Sequence, residues 1–167
     1  MVTGIKYAKT PPQKYIDQAP RQTEWLAEAQ PSVKLRRILT SGTRCPDCWD
    51  NVTQSCNNPN CLTCYGTGWS GGYAAQESVK VGISQPNMVD QKAWTAIGFI
   101  QVEMGIVGWC APSVNIKPRD MIVDGGGKRY VVAEQVNNVG LLGTAVRQYF
   151  ELEEREIDDI TYSVPIT

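Results

Sequence analysis

Residues Cys45 to Tyr73 read CPDCWDNVTQSCNNPNCLTCYGTGWSGGY and hold five of the six cysteines in the chain. Cys45 and Cys48 form one C-x-x-C pair, and Cys61 and Cys64 form a second after a gap of twelve residues. Two such pairs at this separation have the spacing of a structural zinc site, each pair closing a tight knuckle that aims two thiolates at one ion. Pro46 suits the turn of the first knuckle, and Gly66 and Gly68 let the backbone fold back after the second. A tetrahedron of four cysteines leaves no coordination position for water or substrate, so the pattern points to scaffolding and not to catalysis. Cys56 can replace one of the four or stand free beside them. Cys110 sits among Val107, Gly108, Trp109 and Ala111 and reads as a small buried hydrophobe.

Two other uses of the cysteines compete with zinc. A redox C-x-x-C sits at a helix start, where the thiol pKa is lowered. Here the flanks are Pro, Asn, Thr and Gly, which is loop chemistry. Disulfides are the second rival. Met1 to Thr10 shows no apolar run of the signal-peptide kind, which points to synthesis in a reducing compartment and away from disulfides. A complex that later meets an oxidising exterior leaves that route open.

The rest of the composition narrows the class. The chain has 167 residues and a formal net charge of −1. The length suits one ordinary domain or two small ones, and the charge lacks the basic footprint of a DNA-reading domain. Histidine is absent, which removes the usual general base and the usual catalytic metal ligand together. The expectation is therefore no enzyme activity. No stretch approaches the ~20 apolar residues of a membrane span, so a soluble chain without membrane contact is expected.

Three segments follow from the pattern: an N-terminal arm over residues 1–44, a cysteine-rich zinc module over 45–75, and an antiparallel β domain over 76–167. In the arm, Pro11, Pro12 and Pro20 break any long helix, and Arg21 to Gln30 suits a short one stopped by Pro31. Trp25 and Leu26 are its sticky positions, on an arm that is either mobile or docked on a neighbouring subunit. Ser32 to Thr40 is either a strand or a turn and a half of helix. Trp69 and Tyr73 are expected to fold over the zinc module, which has little core of its own. From Glu77 onward the chain reads as β. Candidate strands are Ser78 to Ile83, Ala96 to Met104 with Gly105 to Cys110, a hairpin of Met121 to Val123 with Lys128 to Ala133, Thr144 to Glu154, and a final edge strand at Thr161 to Ile166. Helix competes at Thr144 to Glu154. The fold class is mainly β, a small antiparallel barrel or sandwich carrying the arm and the inserted four-cysteine module.

Two features together carry a family likeness. One is CPDCW…CLTCYGTGWSGGY. The other is the run Ile116 to Val123, followed by Gly127 to Val132 and the Gln148 to Leu152 strand. With these the chain resembles cysteine-rich virion proteins of tailed bacteriophages, in the group of head–tail connector (neck, or head-completion) proteins. Cys61 to Gly68 also matches once the C-x-x-C-x-G-x-G unit of chaperone cysteine-rich domains, which need four such units. The phage resemblance implies a structural virion protein: a small β-barrel in a homo-oligomeric ring between portal or adaptor and tail-terminator proteins. Genomic DNA would pass the lumen without sequence readout. It also implies assembly in the host cytoplasm. The acidic run Glu151, Glu153, Glu154, Glu156, Asp158 and Asp159 suits such a lumen or a solvated face.

Two other functions stand beside it. A zinc-ribbon module binding nucleic acid would use Lys34, Arg36, Arg37 and Arg44 with Trp49, Tyr65 and Trp69. A thiol oxidoreductase would use Cys45 and Cys48.

Overall fold

A computed structural model describes residues 13–84, 105–141 and 144–167. Among the described residues a helix, α1 (Gln13–Glu28), precedes nine strands: β1 (Ser32–Arg36), β2 (Trp49–Asp50), β3 (Ser55–Cys56), β4 (Glu77–Lys80), β5 (Gly82–Ser84), β6 (Ile106–Cys110), β7 (Met121–Val123), β8 (Arg129–Leu141) and β9 (Thr144–Glu154). Strands β2 and β3 pair only with each other. The other seven form one sheet in the order β4-β1-β7-β8-β9-β6-β5, with every pairing antiparallel. The mainly β, antiparallel class expected from the sequence is the one observed.

The two edges of that sheet, β4 and β5, are consecutive in the chain and separated by Val81 alone. One extended run therefore supplies both edges, which requires the sheet to curl until they meet at that residue. No ladder joins β4 to β5, so the curl is not a hydrogen-bonded closed barrel. Val81 points into the concave core with Leu35, Ile122, Val132, Phe150 and Leu152. The alternation in β1 follows the strand period: Val33 and Leu35 are buried, and their neighbours are less so. In β9, Gln148, Phe150 and Leu152 face inward, which is why this Glu- and Leu-rich segment is a strand. Its central position between β8 and β6 rewards the period of two over the helical alternative.

All three residues of β7 are buried. Ile122 joins the concave core, while Met121 and Val123 join a second cluster with Tyr73 and Val164 on the opposite face. The chain's C-terminal segment covers that face. It is not the edge strand expected at Thr161 to Ile166. Asp159 caps a 3-10 turn at Ile160–Ser163 by accepting the Thr161 N–H at 2.8 Å. The buried Arg129 guanidinium then holds the segment by donating to the carbonyls of Thr161 and Val164. Satisfying those carbonyls by a side chain removes the need for a sheet partner.

Other differences have equally local causes. Ser32–Arg36, placed in the arm by the sequence pattern, is an internal strand between β4 and β7. The helix is longer than Arg21 to Gln30 and runs through Pro20. Proline removes one backbone donor, and just beyond it the Thr23 hydroxyl donates to the Ala19 carbonyl at 3.2 Å. The helix packs against β9. Among its described side chains Thr23 and Ala27, one turn apart, are buried, while Trp25 is 70% exposed and Leu26 41%. The hairpin of β7 and β8 has its turn at Asp124, whose carboxylate accepts the N–H groups of Gly126 and Lys128, but β8 continues to Leu141. Ala96 to Met104 lies outside the described residues.

Close packing leaves no room for a side chain at Gly108. A Cβ on Gly108 would lie 2.1 Å from the ring of fully buried Phe150. Gly108→Ala is expected to cost about 1–3 kcal/mol by overpacking. Urea unfolding should show a lower midpoint at unchanged slope.

Candidate metal centre

The cysteine-rich module leaves the sheet through a two-stranded neck. The chain after β1 runs out against the chain before β4, with bridges at Ile38–Tyr73 and Arg44–Trp69. Hydrogen bonds from Leu39 N–H to Gly72 O and from Cys45 N–H to Gly68 O, both 3.0 Å, continue the neck to the first cysteine. Beyond it the chain makes two equivalent turns. Trp49 N–H donates to the Cys45 carbonyl at 3.2 Å, and Tyr65 N–H donates to the Cys61 carbonyl at 2.7 Å. The small hairpin of β2 and β3 fills the gap between the turns. The Thr63 hydroxyl donates to the Asp47 carboxylate and ties one turn to the other. Gly72 is required for closure, because a Cβ there would lie 2.6 Å from the Cys64 carbonyl oxygen.

These turns bring Cys45, Cys48, Cys61 and Cys64 together with their sulfurs all within 4.8 Å of one another, and all four residues are buried. Cys45 and Cys61 sulfurs lie 3.6 Å apart, and those of Cys48 and Cys64 3.2 Å. A metal–thiolate bond of about 2.3 Å in a regular tetrahedron puts sulfurs about 3.8 Å apart. The spacing is thus near that of a bound ion and well beyond the ~2 Å of a disulfide bond. All the cysteines are free thiols. The donor set fits a single ion that takes four soft ligands, and the four residues singled out from the spacing are the four that converge.

Burial and local N–H groups act in opposite directions within the cluster. Burial pushes up the thiols of Cys45 and Cys48, with Cys56 adding to the effect at Cys48. Burial acts on Cys61 too, but the N–H groups of Cys64 and Thr63 aim at its sulfur and hold it down at about 7. Buried thiolates packed this closely need a positive charge among them. The four cysteines are also the buried members of the module's own cluster, with Cys56 the partly buried side chain against it. The module has no aliphatic core to stand on.

Cys56 lies beside the centre. Its thiol donates to the Asn58 carbonyl at 3.0 Å, and its sulfur is 3.8 Å from that of Cys64. Cys110 is remote, buried in the sheet core, and burial pushes its thiol up to about 12. The proposed redox pair Cys45 and Cys48 lies in a turn and not at a helix start.

The expected cap of Trp69 and Tyr73 is half right. Trp69 does lie on the module, but Tyr73 packs on the sheet with Met121 and Val164. What the sequence does not show directly is the stacking of Arg44. Its guanidinium is stacked 3.7 Å from the ring centroids of both Trp49 and Trp69, whose own centroids are 6.5 Å apart. The signal was present as an arginine and a tryptophan flanking the first cysteine pair. The basic group Lys34, Arg36, Arg37 and Arg44 is not one patch. Lys34 donates to the Thr167 carbonyl. Arg37 binds the Glu77 carboxylate at 3.1 Å and the Val114 and Asn115 carbonyls at 2.8 Å. The acidic run is also partly paired: Glu154 with Lys128 at 2.7 Å and Glu153 with Arg155 at 2.8 Å.

Among the described residues no helix is long and apolar enough to cross a membrane. No protein-family model matches the chain, and a search of curated proteins returns no match either.

Two substitutions probe the module. Cys61→Ser is expected to abolish metal binding, measured by elemental analysis. It should also raise amide exchange across residues 45–73 while the sheet residues Val132 and Phe150 stay protected. Arg44→Ala should keep the metal but lower stability by about 0.5–2 kcal/mol through loss of the double stack. Thermal unfolding of the metal-loaded protein measures that loss.

Proposed function

We propose that this chain is a non-catalytic structural protein of a tailed-phage particle, a ring-forming connector at the head–tail junction, with structural zinc held by Cys45, Cys48, Cys61 and Cys64. The observation that carries the non-catalytic reading is the closed thiol centre. Its four ligands are buried, and a four-thiolate ion has no open position for substrate. Zinc is the ion of choice because it is redox-inert and suits tetrahedral sulfur ligation.

The connector reading rests on the resemblance set out above, and the architecture is compatible with it. A small curled antiparallel sheet would form the ring wall. The metal-clamped module and helix α1, with Trp25 exposed, would reach neighbouring copies and the portal and tail-terminator proteins. Glu156 and Asp158, exposed at the end of the acidic run, would let genomic DNA slide past. The particle would be assembled in the host cytoplasm. The nucleic-acid-binding alternative loses support, because Lys34, Arg37 and Arg44 make separate contacts within the chain.

Light scattering and electron microscopy of the purified zinc protein, alone and mixed with the portal protein, test the proposal. Ring-shaped oligomers, or ring formation on the portal, are expected. A chain that stays monomeric and ignores the portal overturns it.

A further inference from the structure

Four of the five clustered cysteines are buried, and Cys56 is not. It lines a hollow at the root of the module, together with Arg44, Trp49, Thr67, Trp69 and Arg119. Arg44 is immobilised there between two indoles. Arg119 enters from the sheet side with a left-handed backbone, φ 67°. No ion pair among the described residues engages either guanidinium. Of the five clustered sulfurs, the partly accessible one is the one a small oxidant reaches first. Directly behind it, 3.8 Å away, stands the sulfur of the metal ligand Cys64.

We infer that Cys56 is an oxidation site addressed by small hydroperoxides, and that it releases the metal by capturing Cys64. The inference rests on the metal reading of the four-thiol centre. In the first step the Cys56 sulfur attacks the peroxide. The O–O bond breaks, one oxygen becomes the sulfenic acid of Cys56, and the other leaves as water or alcohol. In the second step the Cys64 thiolate attacks the Cys56 sulfur. The S–S bond forms, the S–O bond breaks, and hydroxide leaves and takes up a proton to become water. The two sulfurs together supply the two electrons that reduce the peroxide. The ion keeps only Cys45, Cys48 and Cys61 and is freed as the divalent cation. The Asn58 carbonyl, which accepts from the Cys56 thiol at 3.0 Å, holds the side chain at the hollow until it reacts. Cys110, remote in the sheet core, serves as the internal control.

The test uses the full metal-loaded chain treated with hydrogen peroxide. Metal release is followed with a chromophoric chelator, and disulfides are mapped by mass spectrometry after blocking free thiols. A Cys56–Cys64 disulfide is expected to accumulate as metal is released. Release from Cys56→Ser should be about tenfold slower or more, and release from Cys110→Ser unchanged. Wild-type release from Cys56→Ser overturns the inference. So does a map showing only bridges among the four ligands. The map is read on the unaltered protein, so the outcome does not depend on how the variant folds. A protein purified without metal would defeat the metal reading at the start, before any peroxide is added, while the disulfide map would still judge Cys56.

Discussion

The carboxylate of Asp120 is the point on which the two parts of this molecule are joined. It is 1% exposed, and the Arg37 guanidinium lies 3.7 Å from it. A buried carboxylate is costly unless it is hydrogen-bonded and faced by a positive charge. Asp120 has both: it accepts the N–H of Ile38 at 3.1 Å and that of Lys117 at 2.9 Å. Burial still holds this carboxyl above the usual carboxylate range, against the pull of those two N–H groups and of Arg37. Arg37 in turn reaches the β4 edge through Glu77 and the turn before β7 through the Val114 and Asn115 carbonyls. The base of the neck, one sheet edge and the β6–β7 connection are thus fixed to one buried charge. Where the module points is set there.

Beyond the neck the physics changes. The sheet is held by apolar burial on both faces of β7 and inside the curl. The module has too few apolar residues for that and is held by its four converging cysteines, close turns and the Arg44 stack. Two stabilising mechanisms, separated by a neck, allow one part to loosen while the other stands.

The convergence of Cys45, Cys48, Cys61 and Cys64 was legible in the sequence because paired C-x-x-C units at this separation have few other uses. The strands at Met121, Thr144 and Glu77 were legible for a similar reason: alternation and turn glycines are local signals. What escaped depends on contacts distant in sequence. The C-terminal segment has strand-like residues but is captured by Arg129, some thirty residues earlier. The helix crosses Pro20 although local rules place a break there. Ser32–Arg36 looked like part of an arm because nothing in those five residues reveals partners at Glu77–Lys80 and Met121–Val123. Arg44 counted as one of a basic group until the tryptophans on either side of it were brought together.

The junction at Val81 has a bearing on solubility. Open sheets present two rows of unpaired backbone groups, which invite strand addition from other molecules. Here the edge strands are four and three residues long, and the sheet bends until they meet. β4 carries Glu77 and Lys80, both exposed. Short, convergent edges, one of them charged, make a poor template for cross-β stacking. A chain built this way can be crowded against copies of itself and still associate through its projections instead of through its backbone.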